Sequence, residues 1–373
     1  MTSPRIDVDL EKIRLNAQCL VNRLRPRGIG VTGVTKAVCG HPDIAKAMLQ
    51  GGVVGLADTR IANVERMRRA GITCPISMLR TPMLSQIDRI TKSCDASYNT
   101  EIAVIASLAE AARRGNKVHN IILMVEMGDM REGIAPGDLE TIARNVIRMP
   151  GVALKGIGAN YACLNGMIPD DGTMAGFSML ANDIEGACGP FIETVSGGNS
   201  ANLPWAMSSR KPGRINDLRL GEAILLGVDP ISGQQIGGLY RGAFTLTAEV
   251  IEARSKPEPP TAPIAERGAS RLRLVPDCCD KKRSILAIGH QDIDISGLVF
   301  PPGVSLVGAT SDHLVVETYD HKLQVGSEVS FQLNYSALMR SMSAPGIEKV
   351  MRRSRASLKS KPTKLNRSDL ALV

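Results

Sequence analysis

The sequence predicts an α/β chain: a (β/α)8 TIM-like barrel over residues 1–240, followed by an all-β domain over residues 241–350. Two patterns predict it. Eight short apolar runs alternate with segments of helical periodicity in the first part of the chain, and from residue 241 onward strand-like runs continue without helices between them. A third observation, the crowding of positive charge into residues 351–373, sets off a basic tail expected to be disordered.

The elements follow in order. An amphipathic helix is read at "DLEKIRLNAQCLVNRL", and the apolar runs are "IGVTGVT", "VVGLA", "CPISML", "CDASY", "NIILMVEM", "VALKGIGAN", "FIETVS" and "INDLRL". Between them, "DIAKAMLQ", "RIANVERMRRAG", "MLSQIDRITKS", "TEIAVIASLAEAARRG" and "GDLETIARNVIRMPG" place apolar residues at helical spacing. Parallel strands joined through helices need right-handed crossovers, and eight such units over roughly 220 residues suit a closed barrel. An open doubly wound sheet is the alternative with the same alternation. Beyond residue 241, "AFTLTAEVIEAR", "RSILAIGHQDID", "GVSLVGATSDHLVVETY" and "VGSEVSFQLNY" read as strands parted by Gly/Pro-rich turns, and "SKPEPPTAPIAERG" reads as a long loop because its prolines remove donors.

Composition excludes several classes. Of the formal charge of +8, the last 23 residues carry +6, so the body is nearly neutral and no nucleic-acid partner is expected. There is no apolar run long enough to span a membrane, and the polar start "MTSPRIDVDLEKI" is no signal peptide, so a cytoplasmic protein is expected. The eight cysteines form no CxxC pair and are expected to be reduced thiols; the five histidines lack metal-ligand spacing, and no metal is expected.

In a barrel of this kind, chemistry sits on the loops that follow the strands. Those positions hold Lys36 after the first run, Asp58 and Arg60 after the second, Arg80 after the third and Asn99 after the fourth. "GDMREG" with Arg131 follows the fifth, Asn160 and Tyr161 close the sixth, "SGGNS" (Ser196, Gly198, Asn199, Ser200) follows the seventh, and Arg219 leads into "LGEAILLG" at the eighth. Taken singly, Asp58, Arg60 and Arg80 are as well read as solvated loop residues; the set as a whole is harder to dismiss. Glycines in "SGGNS", with Gly221 and the N–H of Glu222, let the backbone approach an anion, and phosphate in such barrels is held after the last two strands. A lysine across the same mouth suggests pyridoxal 5′-phosphate bound as a Schiff base, which needs an amine whose pKa is depressed.

With these residues in view, the chain resembles the fold-type III pyridoxal-phosphate enzymes, alanine racemase-like, and within them the ornithine racemase branch. "VTGVTKAVCGHPD" is similar to the family's lysine strand, "MGDMREG" keeps its Gly-x-x-Arg-x-Gly spacing, "SGGNS" looks like its phosphate loop, and "LRLGEAILLG" looks like its last barrel strand. The resemblance covers about residues 5–350. It implies Lys36 as the Schiff-base residue, Arg131 beside the cofactor's phenolic oxygen or the substrate carboxylate, and Arg219 at the pyridine nitrogen. An arginine there cannot accept the ring proton, which suits a reaction that moves a Cα proton and little else.

Racemisation needs two bases on opposite faces of Cα. Lys36 is one. In alanine racemase the other is a tyrosine early in the partner subunit's β domain, but "VIEARSKPEPPTAPIAERG" has none, an absence the ornithine branch shares. The candidates here are His313 in "TSDHLVV" and Tyr335 in "LNYSALMR", both read at the ends of β-domain strands. The same segments resemble those of metal-dependent D-threonine aldolase and D-serine dehydratase, yet this chain offers Asp312 and His313 and then Tyr335 and Ala337 where further ligands would be wanted. The resemblance implies a homodimer whose active site is shared between subunits. The expected activity is racemisation of an amino acid, ornithine or another basic one, with Glu126, Asp129, Glu132 and Glu222 as carboxylates able to meet a side-chain ammonium. The alternatives are an alanine or broad-specificity racemase, an aldolase or dehydratase of the same fold, and a cofactor-carrying protein without turnover.

Overall fold

The eight apolar runs form the eight parallel strands of one closed barrel in the computed structural model, which describes residues 3–189, 192–208, 211–255, 282–318 and 323–353. The loop expected after residue 255 and the tail from residue 354 onward lie outside the described residues. The chain divides into two units, a barrel unit (residues 11–36 and 40–241) and a second unit made of residues up to 10, residues 37–39 and residues from 242.

The chain opens with β1 (Arg5–Asp9), which belongs to the second unit. The barrel is built from β2 (Gly30–Val34), β3 (Gly55–Asp58), β4 (Ile76–Met78), β5 (Ala96–Asn99), β6 (His119–Val125), β7 (Val152–Ala159), β8 (Thr194–Ser196) and β9 (Asp217–Leu220). It closes where β9 pairs with β2, Gly33 opposite Leu220. Its helices are α1 (Leu10–Leu24), α2 (Pro42–Gln50), α3 (Ile61–Arg69), α4 (Ile87–Ser93), α5 (Ile102–Arg114), α6 (Leu139–Ile147), α7 (Asp171–Cys188), α8 (Leu203–Ser208) and α9 (Glu222–Leu226). They form where the 3.6-residue period puts apolar groups on one face: α5 buries Val104, Ile105, Leu108, Ala109, Ala111 and Ala112. Three glycines dilute that pattern in α7, whose start is instead fixed by the Asp170 carboxylate accepting from the Thr173 N–H at 2.7 Å.

Close approach of β7 and β8 depends on Gly156. A Cβ there would collide with the Thr194 carbonyl oxygen and lie 2.8 Å from Thr194 Cβ. Gly158, on the same strand, leaves room for the Tyr98 ring, which reaches across the interior to Ser196 Oγ at 3.4 Å. Lower on the neighbouring pair, Ser97 Oγ meets His119 Nε2 at 2.9 Å; the histidine is 3% exposed and burial pushes its pKa down to about 4.

The second unit is a sheet of β10 (Phe244–Ser255), β11 (Lys282–Leu286), β12 (Leu298–Val299), β13 (Val304–Ala309), β14 (Leu314–Thr318), β15 (Glu328–Leu333) and β16 (Glu348–Arg352) together with β1. All its pairs are antiparallel except β1 with β16. Two expectations change here. β1, read with the barrel, is the partner of β10 and β16, held by the Arg5–Glu328 and Arg352–Asp7 ion pairs. And β15 stops at Leu333: Asn334 accepts from the Ala337 N–H at 2.9 Å and starts α10 (Tyr335–Ser343), so Tyr335 opens a helix and does not end a strand.

Two outcomes are expected. Gly156→Ala should destabilise the protein by about 3 kcal/mol, because the clash is with backbone, whereas Gly176→Ala, with open space around it in α7, should stabilise it by roughly 0.5–1 kcal/mol; urea unfolding midpoints measure both. His119 titrates near 6.5 when unfolded and near 4 when folded, so the unfolded chain binds the extra proton between those values. Stability should fall by about 3 kcal/mol as pH drops through that window, and His119→Asn should flatten the slope.

Candidate active site

The turn that follows β2 presents Lys36. Thr35 keeps the sheet going through its N–H to the Ala57 carbonyl at 3.0 Å, and the chain then turns over Lys36–Val38. Cys39 and Gly40 both take positive φ, 52° and 60°. A Cβ on Gly40 would stand 2.7 Å from Asn63 Cβ, so only glycine fits where the turn meets α3. Asp58 braces this corner from β3: fully buried, it accepts from Thr35 Oγ1 at 2.7 Å, Arg60 N at 2.9 Å and Asn63 Nδ2 at 2.9 Å. Burial holds its pKa above the usual carboxylate value against those three donors. The side chains of Arg60 and Arg80, by contrast, are exposed on their loops.

Burial lowers the pKa of the Lys36 amine; Arg131 adds to the effect, while Cys163, Asp58 and Glu132 oppose it. Groups from the loops after β3, β6 and β7 therefore converge on one amine.

The loop after β6 is shaped by its own acids. Glu126 accepts from the N–H groups of Gly128 (2.6 Å) and Met130 (3.0 Å), and Gly133 lies so close to the Glu126 backbone that no side chain fits. Asp129, 2% exposed, accepts from Cys163 N at 2.8 Å and Leu164 N at 3.0 Å, tying this loop to the one after β7. Arg131 is anchored through Nε to Glu132 (2.8 Å) and Asp129 (3.3 Å).

From Glu132 a continuous chain of hydrogen bonds crosses the barrel mouth. Asn160 Nδ2 donates to Glu132 Oε1 at 3.0 Å, and Asn160 Oδ1 accepts from Arg219 at 2.7 Å. Arg219 is 4% exposed, lies 4.9 Å from the Tyr98 ring centroid, and also donates to the Ala159 carbonyl and to Ser196. Ser196 Oγ donates to Asp217, whose other oxygen accepts from Thr32 Oγ1 at 2.6 Å. All these guanidinium bonds run from the two terminal nitrogens of Arg219. Asp217, Thr32 and Tyr98 were not singled out from the sequence. The signal for Asp217 was present, since Asp217 and Arg219 are two residues apart on a strand and so share a face.

"SGGNS" folds back on itself. Gly198 has φ 120° and no room for a Cβ beside the Asn202 amide. Asn199 caps the following turn through Ala201 N (2.8 Å) and reaches the Tyr161 carbonyl (2.8 Å), while Ser200 Oγ accepts from Ala223 N at 3.3 Å, joining the loops after β8 and β9. The side chains of Ser196, Asn199 and Asn160 are thus engaged with protein partners. Gly221 is packed against Val34, and the Glu222 carboxyl beside it is pushed up to about 7 by burial and by Asp229, an effect that Lys36 partly offsets. Asn99 is buried and donates to Ser97.

His313 and Tyr335 are carried by the second unit. His313 lies in the turn before β14, 42% exposed at its side chain, with Nδ1 3.1 Å from Asp312 Oδ1; Tyr335 is half-buried in the first turn of α10. Among the described residues there is no group of three or more His, Cys, Asp or Glu arranged to hold a metal ion.

Residues 8–230 match the family model described as "Alanine racemase, N-terminal domain". The chain is 33% identical over 353 residues to an ornithine racemase of Acetoanaerobium sticklandii, covering 93% of this chain and 99% of that protein. It is 36% identical over 358 residues to a lysine racemase of Thermotoga maritima, covering 94% and 99%. Among solved structures, an alanine racemase of Clostridium difficile superposes with a TM-score of 0.76 at 20% identity over 98% of this chain and all of that one, and an alanine racemase of Streptomyces lavendulae with 0.74 at 18% over 95% and 98%. Barrel, second sheet and whole-length similarity agree, and the chain belongs to the alanine racemase family defined by that N-terminal domain.

Proposed function

We propose that the protein is an amino-acid racemase that uses pyridoxal 5′-phosphate and acts on ornithine or lysine. The observation that carries this is the pairing of a pKa-lowered Lys36 at the end of β2 with a buried Arg219 that holds both terminal nitrogens in a fixed network at the same mouth. Similarity over nearly the whole chain to an ornithine and a lysine racemase supports the substrate class.

The residues present fit the cofactor. Gly198, with φ 120° and a Cβ position already filled by Asn202, makes a turn whose backbone, free of a side chain, would admit an anion. Lys36 has the depressed amine needed for a Schiff base, and Arg219 retains Nε outside its own network of terminal-nitrogen bonds. When bound, pyridoxal 5′-phosphate supplies a conjugated ring that draws electron density from Cα and loosens its hydrogen. Lys36 then takes or returns the Cα proton on one face. Arg131, steadied by Asp129 and Glu132, holds the substrate carboxylate or the phenolic oxygen. Arg219 would face the ring nitrogen and, having no proton-accepting site, would leave it unprotonated, and backbone around Gly198, Ser200, Gly221 and Glu222 would hold the phosphate. Asn160, Ser196 and Asn199 act by fixing these groups in place. His313 or Tyr335 of a second copy supplies the opposite base, so the working form is a cytoplasmic homodimer. No helix among the described residues is long and apolar enough to cross a membrane.

Pure L- or D-ornithine, and separately lysine, incubated with the purified protein should each approach an equal mixture of enantiomers by chiral chromatography, unaffected by a chelator, and Lys36→Ala should abolish both this and the visible absorption of bound cofactor. Cofactor binding without interconversion of either amino acid would reject the assignment. The variant lacking the second base, His313→Ala or Tyr335→Phe, should lose about 100-fold or more in interconversion while still exchanging Cα hydrogen for deuterium in one enantiomer. Mixing it with Lys36→Ala should restore activity through mixed dimers; parental behaviour in both variants would remove both residues from the mechanism.

A further inference from the structure

Four carboxylates on the barrel loops were candidates to meet the distal ammonium of a basic substrate, and the structure separates them. Asp129 is spent on two backbone N–H groups and on Arg131. Glu132 gives one oxygen to Arg131 and the other to Asn160. Glu126 closes its own loop through Gly128 and Met130. The Glu222 carboxylate has no hydrogen-bond or ion-pair partner among the described residues.

Its place in the barrel follows from register. β2 and β9 are neighbours with Gly33 opposite Leu220, so Lys36 and Glu222 leave adjacent strand ends, three and two residues beyond that pair. Gly221 fits directly against Val34, which holds the two ends together. The half-buried carboxylate thus stands near the Lys36 amine, the group that would move the Cα proton, with Asp229 as a further acidic neighbour. A partly buried carboxylate without a partner is costly, and a cation arriving with the substrate relieves that cost. Inversion at Cα carries only the hydrogen from one face to the other, so carboxylate and side chain keep their anchors and one acid serves both enantiomers.

We propose that the Glu222 carboxylate receives the side-chain ammonium of the substrate and is the residue that makes this site prefer basic over neutral amino acids. The inference rests on the basic-substrate reading above. Burial already holds Glu222 near half-protonation at neutral pH, and an ammonium in contact would return it to the charged form.

The test is equilibrium binding to the holoenzyme, followed by spectroscopic and calorimetric titration. The ligands are α-methylornithine and its isostere α-methylnorleucine, both of which lack the Cα hydrogen and cannot be racemised. The parent should bind α-methylornithine the more tightly by about tenfold to a hundredfold, the usual worth of a hydrogen bond to a charged group. Glu222→Gln, which leaves the backbone N–H in place, should erase that preference, read as the ratio of the two affinities within the same variant. Glu222→Asp, with the acid drawn back by one methylene, should shift preference toward the longer α-methyllysine, and it decides the matter if the glutamine variant does not retain cofactor. A parent preference that survives in both variants overturns the role of Glu222 and leaves the basic-substrate reading standing. A parent with no preference between the two ligands overturns that reading, and this inference with it.

Discussion

A guanidinium buried inside a barrel is the constraint around which the remaining site is arranged. Arg219 has almost no contact with solvent, and an uncompensated charge in that position would cost more than a domain's margin of stability. Compensation comes from Asp217 through the shared Ser196 hydroxyl, from the Ala159 carbonyl and from Asn160. The partners come from the end of β7 (Ala159, Asn160), from β8 (Ser196) and from β9 itself (Asp217), so the charge also sets the distances between these three strands. The glycines on β7 serve the same end, letting β8 and the Tyr98 ring come close enough to complete the network.

Lys36 depends on the opposite device. Among the described residues no counter-ion is hydrogen-bonded to it; burial and Arg131 lower its pKa against Cys163, Asp58 and Glu132, and its geometry is imposed by a corner of backbone in which Gly40 and Asp58 leave little freedom. Arg219 and Lys36 therefore have opposite characters. One is permanently charged and locked, the other has its pKa lowered by burial and is left without a fixed partner among the described residues.

Much of this was legible in the sequence, for an identifiable reason. The eight barrel strands are short apolar runs bounded by helices, and strand-end residues such as Lys36, Arg131 and Arg219 fall where any barrel puts its chemistry. What was not legible is non-local. β1 finds its partners in β10 and β16, more than 200 residues away, and nothing in "RIDVD" announces them. Tyr335 was placed on a strand because "SFQLNY" alternates well; the single capping bond from Ala337 to Asn334 turns it into a helix start. Asp217 and Thr32 look like ordinary polar residues on strands until the barrel closes and β2 meets β9. For the second base, the sequence supplies two candidates, His313 and Tyr335, both on the second unit.

The bridge made by Asp129 has a bearing on how such a site diversifies. One carboxylate fastens the loop after β6 to the loop after β7 by two backbone hydrogen bonds, so the two cannot drift apart as independent inserts. Sequence change in either is confined to side chains that leave the tie intact, such as the outward-facing Met130 and Leu164. A lineage, or an engineer, seeking a new substrate shape would therefore alter the two loops as a single correlated element.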